Sequence, residues 1–305
     1  MKFAVNYSEP LADLWQNGRV TLDRFKCPAW PDVVAKAQTL HACYVHLPLQ
    51  VGQGVGYAID TEKKQAADWH RLEKLVTQTD TPFINLHLVA ETAVYPDLPP
   101  DTTHPTHLAR VIENMVRDVT AVVKRFGADR VIVENINDHT PAHLHATFLP
   151  EVITAVVEAT GCGLLLDLSH ARLAAHYLGL DARDYIAALP VTAVREIHVT
   201  GIQPLDAYWL DRLQAAGASL DKWGVSPGQL VDHLPMVDAD WEFLGWVMAE
   251  IEAGRWQRPF IIAFEYGGVG PIWSDLTDSN SLAEQLPRMY DLIKGARKTA
   301  VSGKT

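Results

Sequence analysis

The chain has 305 residues, 48% of them apolar, with 26 basic against 37 acidic side chains and a formal charge of −11. That content suits one large α/β domain, and the acidity argues against a nucleic-acid partner, whose phosphates need a basic face. No apolar run approaches the ~20 residues of a membrane span, the first ten residues lack the apolar core of a signal peptide, and Cys27, Cys43 and Cys162 do not have the number or spacing of a disulfide framework, so a cytoplasmic protein with no membrane partner is expected.

Short apolar runs lie at residues 3–7, 42–49, 83–89, 130–136, 162–168, 194–200 and 259–265. Several are almost continuous in Val, Ile and Leu, the composition of parallel strands buried on both faces. Helical spacing falls between them at 61–79, 107–126, 150–160, 240–253 and 281–294, with Gly127 and Gly161 placed as C-caps. Strands alternating with helices predict a parallel (β/α)8 TIM barrel that lacks one strand. The missing strand is expected near 229–237, after a long polar stretch. Residues 1–296 are read as a single barrel domain, and 297–305 as a flexible tail.

The end of each run carries the chemistry. YVHLP holds His46, NLHLV holds His87 and VIVENIN holds Glu134; LLLDLSH holds Asp167 and His170. EIHVTG holds His198, VDHLP holds Asp232 and His233, and AFEYGG holds Glu265. In a barrel the C-terminal strand ends form the face on which active sites are built. An unpaired charge there costs several kcal/mol, and few Arg or Lys lie nearby, so metal ions are the simplest compensation. Any one such histidine is more often structural than a ligand; repetition along the chain argues otherwise. Imidazole and carboxylate without thiolate suit Fe, Mn or Zn. The set exceeds the needs of one ion and predicts two or three divalent ions. His41, His70, His104, His107, His143, His145 and His176 are read as surface or packing residues, and His139 is left open. Glu196 is expected on the opposite side of the sheet from His198, in a helix-facing ion pair. Trp209 and Trp223, in the long polar stretch, are candidates for a substrate mouth.

The order E…DxxH…H…E resembles the xylose-isomerase-like barrel superfamily. More narrowly, GCGLLLDLSHARLAAHYLG, DARDYIAALP and VREIHVTG resemble the multinuclear non-haem iron oxidases, the family of the methanobactin-biosynthesis oxidase. VHLPLQVGQGVG, LHLVA, VENIND and AFEY follow in matching order, so the likeness spans roughly residues 40–270. The resemblance implies barrels that hold two or three irons and use oxygen to modify cysteine-containing peptides, often brought by a delivery protein. It implies His46, His87, Glu134, Asp167, His170, His198, His233 and Glu265 as ligands, with Asp232 standing beside the family's aspartate position. Ser169-His170 replaces the family's Asn-Asn, and Ile202 replaces a histidine.

Four functions compete on these residues. One is an oxygen-using iron oxidase. A second is a sugar isomerase or epimerase with a single Mn-type ion, in which Glu134 and Glu265 are the catalytic proton carriers. A third is a zinc phosphodiesterase, disfavoured by the acidity, and the fourth is a barrel that only binds a partner.

Overall fold

The computed structural model describes residues 1–136, 142–219, 226–268 and 271–295. His139, Trp223 and the 297–305 segment lie outside them. The chain forms two compact units, Val45–Ile197 and a second made of Met1–Tyr44 with the chain from His198 onward.

In the second of these, β1 (Lys2–Asn6) runs parallel to β2 (Arg24–Pro28) on one edge and to β13 (Ile261–Phe264) on the other. Ala4, Tyr44, Ile261 and Ala263 pack into one buried cluster. The parallel strand that sequence reading missed is therefore Arg24–Pro28. Its five residues, RFKCP, look polar because Lys26 sits between the buried Phe25 and Cys27. Alternation across a strand sends Lys26 to the opposite face from those two. The run near 229–237 is a strand, β12 (Leu230–Leu234), but not a barrel strand. It pairs antiparallel with β11 (Gly201–Pro204) in a separate two-stranded sheet.

The unit Val45–Ile197 is built on parallel pairs. β7 (Ile84–Leu88) lies between β4 (Leu49–Val51) and β8 (Val131–Glu134), and β8 pairs with β9 (Gly163–Asp167). These strands are buried along almost their whole length, as their apolar runs predict. The helix expected over 61–79 is shorter, Trp69–Gln78. Ahead of it, Ile59–Asp60 and Gln65–Ala66 form a small hairpin. Asp60 accepts the Glu62 and Lys63 amides, and Asp68 caps the helix through the Arg71 amide; such side-chain capture favours turns over helix.

The long helix Pro105–Phe126 holds the glycine-rich segment after β4. Buried Asp118 accepts the amides of Gly52, Gly54 and Gly56 at 3.0, 2.9 and 2.6 Å. Glycine is needed at Gly52 and Gly54. Both have positive φ, and a Cβ would stand 2.2 Å from Val89 O at the first and 2.3 Å from Asn114 Oδ1 at the second. Gly161 caps Pro150–Thr160 in the left-handed conformation, as expected. Cys27, Cys43 and Cys162 are buried free thiols. Among the described residues no helix is long and apolar enough to cross a membrane.

Candidate metal centre

In Val45–Ile197 five of the expected residues meet. The register of β7 and β8 sets His87 directly opposite Glu134. His87 Nε2 lies 3.3 Å and His46 Nε2 lies 3.5 Å from Glu134 Oε2. On the far side of the carboxylate, His170 Nδ1 is 3.8 Å from Glu134 Oε1 and 3.6 Å from Asp167 Oδ2. Glu134 and Asp167 are 2% and 1% exposed, so both carboxylates are withdrawn from water. Glu134, Asp167 and His170 each offer a ligand atom within 4.8 Å of the other two.

The imidazoles are oriented from behind. A carbonyl oxygen can only accept, so His87 Nδ1 donates to Leu49 O at 3.0 Å and His170 Nδ1 donates to Asn135 O at 2.9 Å. That leaves Nε2 as the lone-pair nitrogen of each neutral ring. A neutral His87 then turns a lone pair toward a carboxylate oxygen 3.3 Å away. Two acceptors at that separation repel unless a cation, either a ring proton or a metal, lies with them. This donor set fits a divalent ion, and backbone-tethered imidazoles are the usual supports of metal-ligating histidines.

Local folding explains the placement of Asp167 and His170. Asp167 ends β9 and caps the helix Leu168–Leu178, accepting the His170 amide at 2.8 Å. The three-residue spacing brings the imidazole back over the strand end. Asn135 ties this corner: its amide donates to Asp167 O at 2.9 Å and accepts Asp167 N at 3.0 Å. Asn85 does likewise at Leu47, bonding both backbone groups, and sits 3.1 Å from His46 Nε2. Neither asparagine was anticipated, because each acts on backbone and leaves no pattern of spacing.

The other unit brings together His198, Glu265 and His233. His198 is fully buried, with Nδ1 3.1 Å from Glu265 Oε1. His233 Nδ1 donates to Glu265 O at 3.1 Å, again leaving Nε2 as the lone-pair nitrogen. His233 has φ +59°, uncommon for a residue other than glycine, and such strain gathers at functional sites. Asp232 precedes it on β12 and is half-buried. Asn6 anchors the strand end through Glu265 O at 3.2 Å and Gly267 O at 3.1 Å. Sequence reading also missed Lys26, whose ammonium bonds Glu265 Oε1.

One expectation is corrected. Glu196 is two residues from His198 on one strand, so both share a face; Glu196 is buried at 2% exposure. Trp209 is a core residue. It packs with Leu205, Leu213, Leu234 and Leu276, and its indole donates to Gln203 Oε1 at 3.2 Å. It does border a cavity of about 180 Å³ that Asp232, His233 and Trp273 also line. Two of the histidines read as surface or packing residues have local roles. His41 stacks on Trp15, and His104 caps the helix Pro105–Phe126.

The fold belongs to a known class. A xylose isomerase domain containing protein from Salmonella typhimurium superposes with a TM-score of 0.54 at 13% identity, covering 96% of this chain and 97% of that one. D-psicose 3-epimerase gives 0.50 at 14% identity, covering 97% and 100%. The protein shares the α/β TIM-barrel fold of these structures.

Its family is narrower than its fold. Residues 31–218 match the family of the RiPP precursor modification enzyme MbnB/TglH/ChrH, and the chain belongs to that family. A UPF0276 protein from Caulobacter vibrioides is 32% identical over 156 residues, 50% of this chain and 54% of that protein. A UPF0276 protein from Bordetella pertussis is 42% identical over 67 residues, 21% and 23% of the two chains. The alignment with the Caulobacter protein thus spans about half its length. The family match takes in His46, His87, Glu134, Asp167, His170 and His198; Asp232, His233 and Glu265 lie beyond it.

Proposed function

We propose that this chain is a multinuclear non-haem iron oxidase that uses oxygen to modify a peptide substrate. The ligands are His46, His87, Glu134, Asp167, His170, His198, Asp232, His233 and Glu265, and they hold two or three divalent ions, iron by preference. The observation that carries the reading is the approach of His46 Nε2 and His87 Nε2 to one oxygen of buried Glu134, with His170 and Asp167 beside its other oxygen. Barrels of this class build their active sites at the C-terminal strand ends, and His46, His87, Glu134, Asp167, His198 and Glu265 lie at or beside the ends of their strands. The peptide, and a protein that delivers it, are taken from the family to which the chain belongs.

Bound iron would supply one-electron redox chemistry and a place for oxygen or substrate to bind. The chain's own residues do the rest. Glu134 and Glu265 place negative charge at two points of the ligand set, balance the cations and set their redox preference. His87, tethered through Nδ1, keeps its Nε2 aimed at Glu134 without rotational search, and the Asn135 carbonyl fixes the His170 ring. The burial of Glu134, Asp167 and His198 excludes water from the side facing the strands.

The test is reconstitution of chelator-stripped protein with Fe(II), Mn(II) or Zn(II), followed by oxygen-uptake, epimerase and phosphodiesterase assays. Oxygen uptake confined to the iron form, and dependent on a cysteine-containing peptide, is expected. Epimerase activity of the manganese form, or phosphodiesterase activity of the zinc form without oxygen uptake, would replace the oxidase reading.

A further inference from the structure

Lys26 is a buried lysine with an assigned place. It stands on β2, its side chain 7% exposed, and bonds Glu265 Oε1, whose own side chain is 5% exposed. His198 Nδ1 approaches the same oxygen at 3.1 Å. The carboxylate cannot swing away easily. Its amide donates to Val199 O at 2.9 Å, and its carbonyl accepts from Asn6 and His233. A desolvated ion pair of this kind loses hydration on both partners, so removing one partner leaves the other charge uncompensated. A metal drawn to Glu265 meets a carboxylate already shared with an ammonium. Two cations on one buried carboxylate repel, because little solvent screens them.

We propose that Lys26 is a resident counter-cation of the centre: a positioning residue that holds Glu265 Oε1 and weakens the pull of this carboxylate on a divalent metal. The proposal rests on the reading of Glu265 as a ligand. With Oε1 held by Nζ, chelation through both oxygens requires that contact to break. Lys26 thus favours ligation through a single oxygen and keeps Glu265 in place whether or not a metal is bound.

The experiment compares wild type with Lys26→Met, which keeps the stem and removes the charge, with Lys26→Gln as the polar alternative and Lys26→Arg as the conservative one. Each is stripped with chelator and titrated with Mn(II), free Mn(II) being read by electron paramagnetic resonance. Thermal unfolding is recorded for stripped and loaded forms. Lys26→Met and Lys26→Gln should bind the most weakly held Mn(II) about tenfold more tightly, because the competing charge is gone. They should also unfold earlier than wild type when stripped, and recover most of the difference when loaded. Lys26→Arg should stay within about threefold of wild type. In a Glu265→Gln background, Lys26→Met should leave Mn(II) affinity unchanged. Unchanged Mn(II) affinity in Lys26→Met, with equal losses in the stripped and loaded forms, would reduce Lys26 to a packing residue and overturn the proposal. Weaker binding would also overturn it, showing that Lys26 recruits metal rather than competing with it. A wild type that binds no Mn(II) or iron overturns this proposal and the metal-centre reading together, which separates the two failures.

Discussion

Glu134 is the residue on which the unit Val45–Ile197 turns. It is 2% exposed and has three imidazole nitrogens within 3.8 Å. A carboxylate so placed has too little water to pay for its charge and must share a cation. Replacing it with alanine should lower the metal content measured by elemental analysis, while the barrel keeps its far-ultraviolet dichroism. His170→Ala is a finer test. Its Nδ1 is committed to Asn135 O, so if Nε2 is a ligand, its removal should lower metal content by about one ion per chain. Unchanged stoichiometry would make His170 a structural neighbour of Asp167 only. Glu134 was legible in the sequence as a lone polar group closing an apolar strand, and His170 through its three-residue spacing from Asp167. Lys26, Asn85 and Asn135 were not. A lysine inside RFKCP reads as surface, and an asparagine that bonds backbone carries no signature of spacing.

Elements carry their own determinants of stability. The glycine-rich segment after β4 has no ladder of its own and gives three amides to one buried carboxylate, Asp118. Asp118→Ala strands those amides and should cost about 2–4 kcal/mol in denaturant unfolding. A loss below about 0.5 kcal/mol, the usual scale of a surface change, would show that the segment is held otherwise. A second tie joins the C-terminal helix Ser279–Gly295 to β1. Asp23 accepts the Phe3 amide at 2.6 Å and bonds the Lys294 ammonium. Burial pushes the Asp23 carboxyl up, but Lys294 and the Phe3 amide outweigh it and hold the group below the usual carboxylate range. A carboxyl depressed in the folded state adds stability that is present above its unfolded pKa and lost as pH falls through the folded one. Asp23→Asn should therefore destabilise at neutral pH. The gap from wild type should narrow as pH drops below the ordinary aspartate range, followed by thermal unfolding across pH. A gap that is constant with pH would contradict the tie.

The strands that sequence reading exchanged belong to this scale too. Continuous Val, Ile and Leu identified the fully buried strands, whereas Arg24–Pro28 was hidden by the charge it delivers to Glu265. Leu230–Leu234 has the composition of a strand, and composition cannot say which sheet a strand joins. It pairs with Gly201–Pro204, the segment that directly follows the strand carrying His198.

For the whole molecule, fold and family are reached by separate routes. The barrel likeness extends over nearly all of the chain at 13–14% identity and identifies architecture alone. The family match stops at residue 218, so Asp232, His233 and Glu265 stand on the structure and on their residue types. Stripping the metals should lower the thermal midpoint of the whole protein, because buried Glu134 and Asp167 would lose the cations they share. The central claim is that these strand-end residues build a centre of several irons. It is tested most directly by the metal content of anaerobically purified protein, with Mössbauer spectra of an iron-57 preparation. The account predicts about two or three irons per chain, magnetically coupled through bridging ligands, and their loss in Glu134→Ala. One isolated metal per chain, or a full complement of zinc that iron cannot replace, would contradict it.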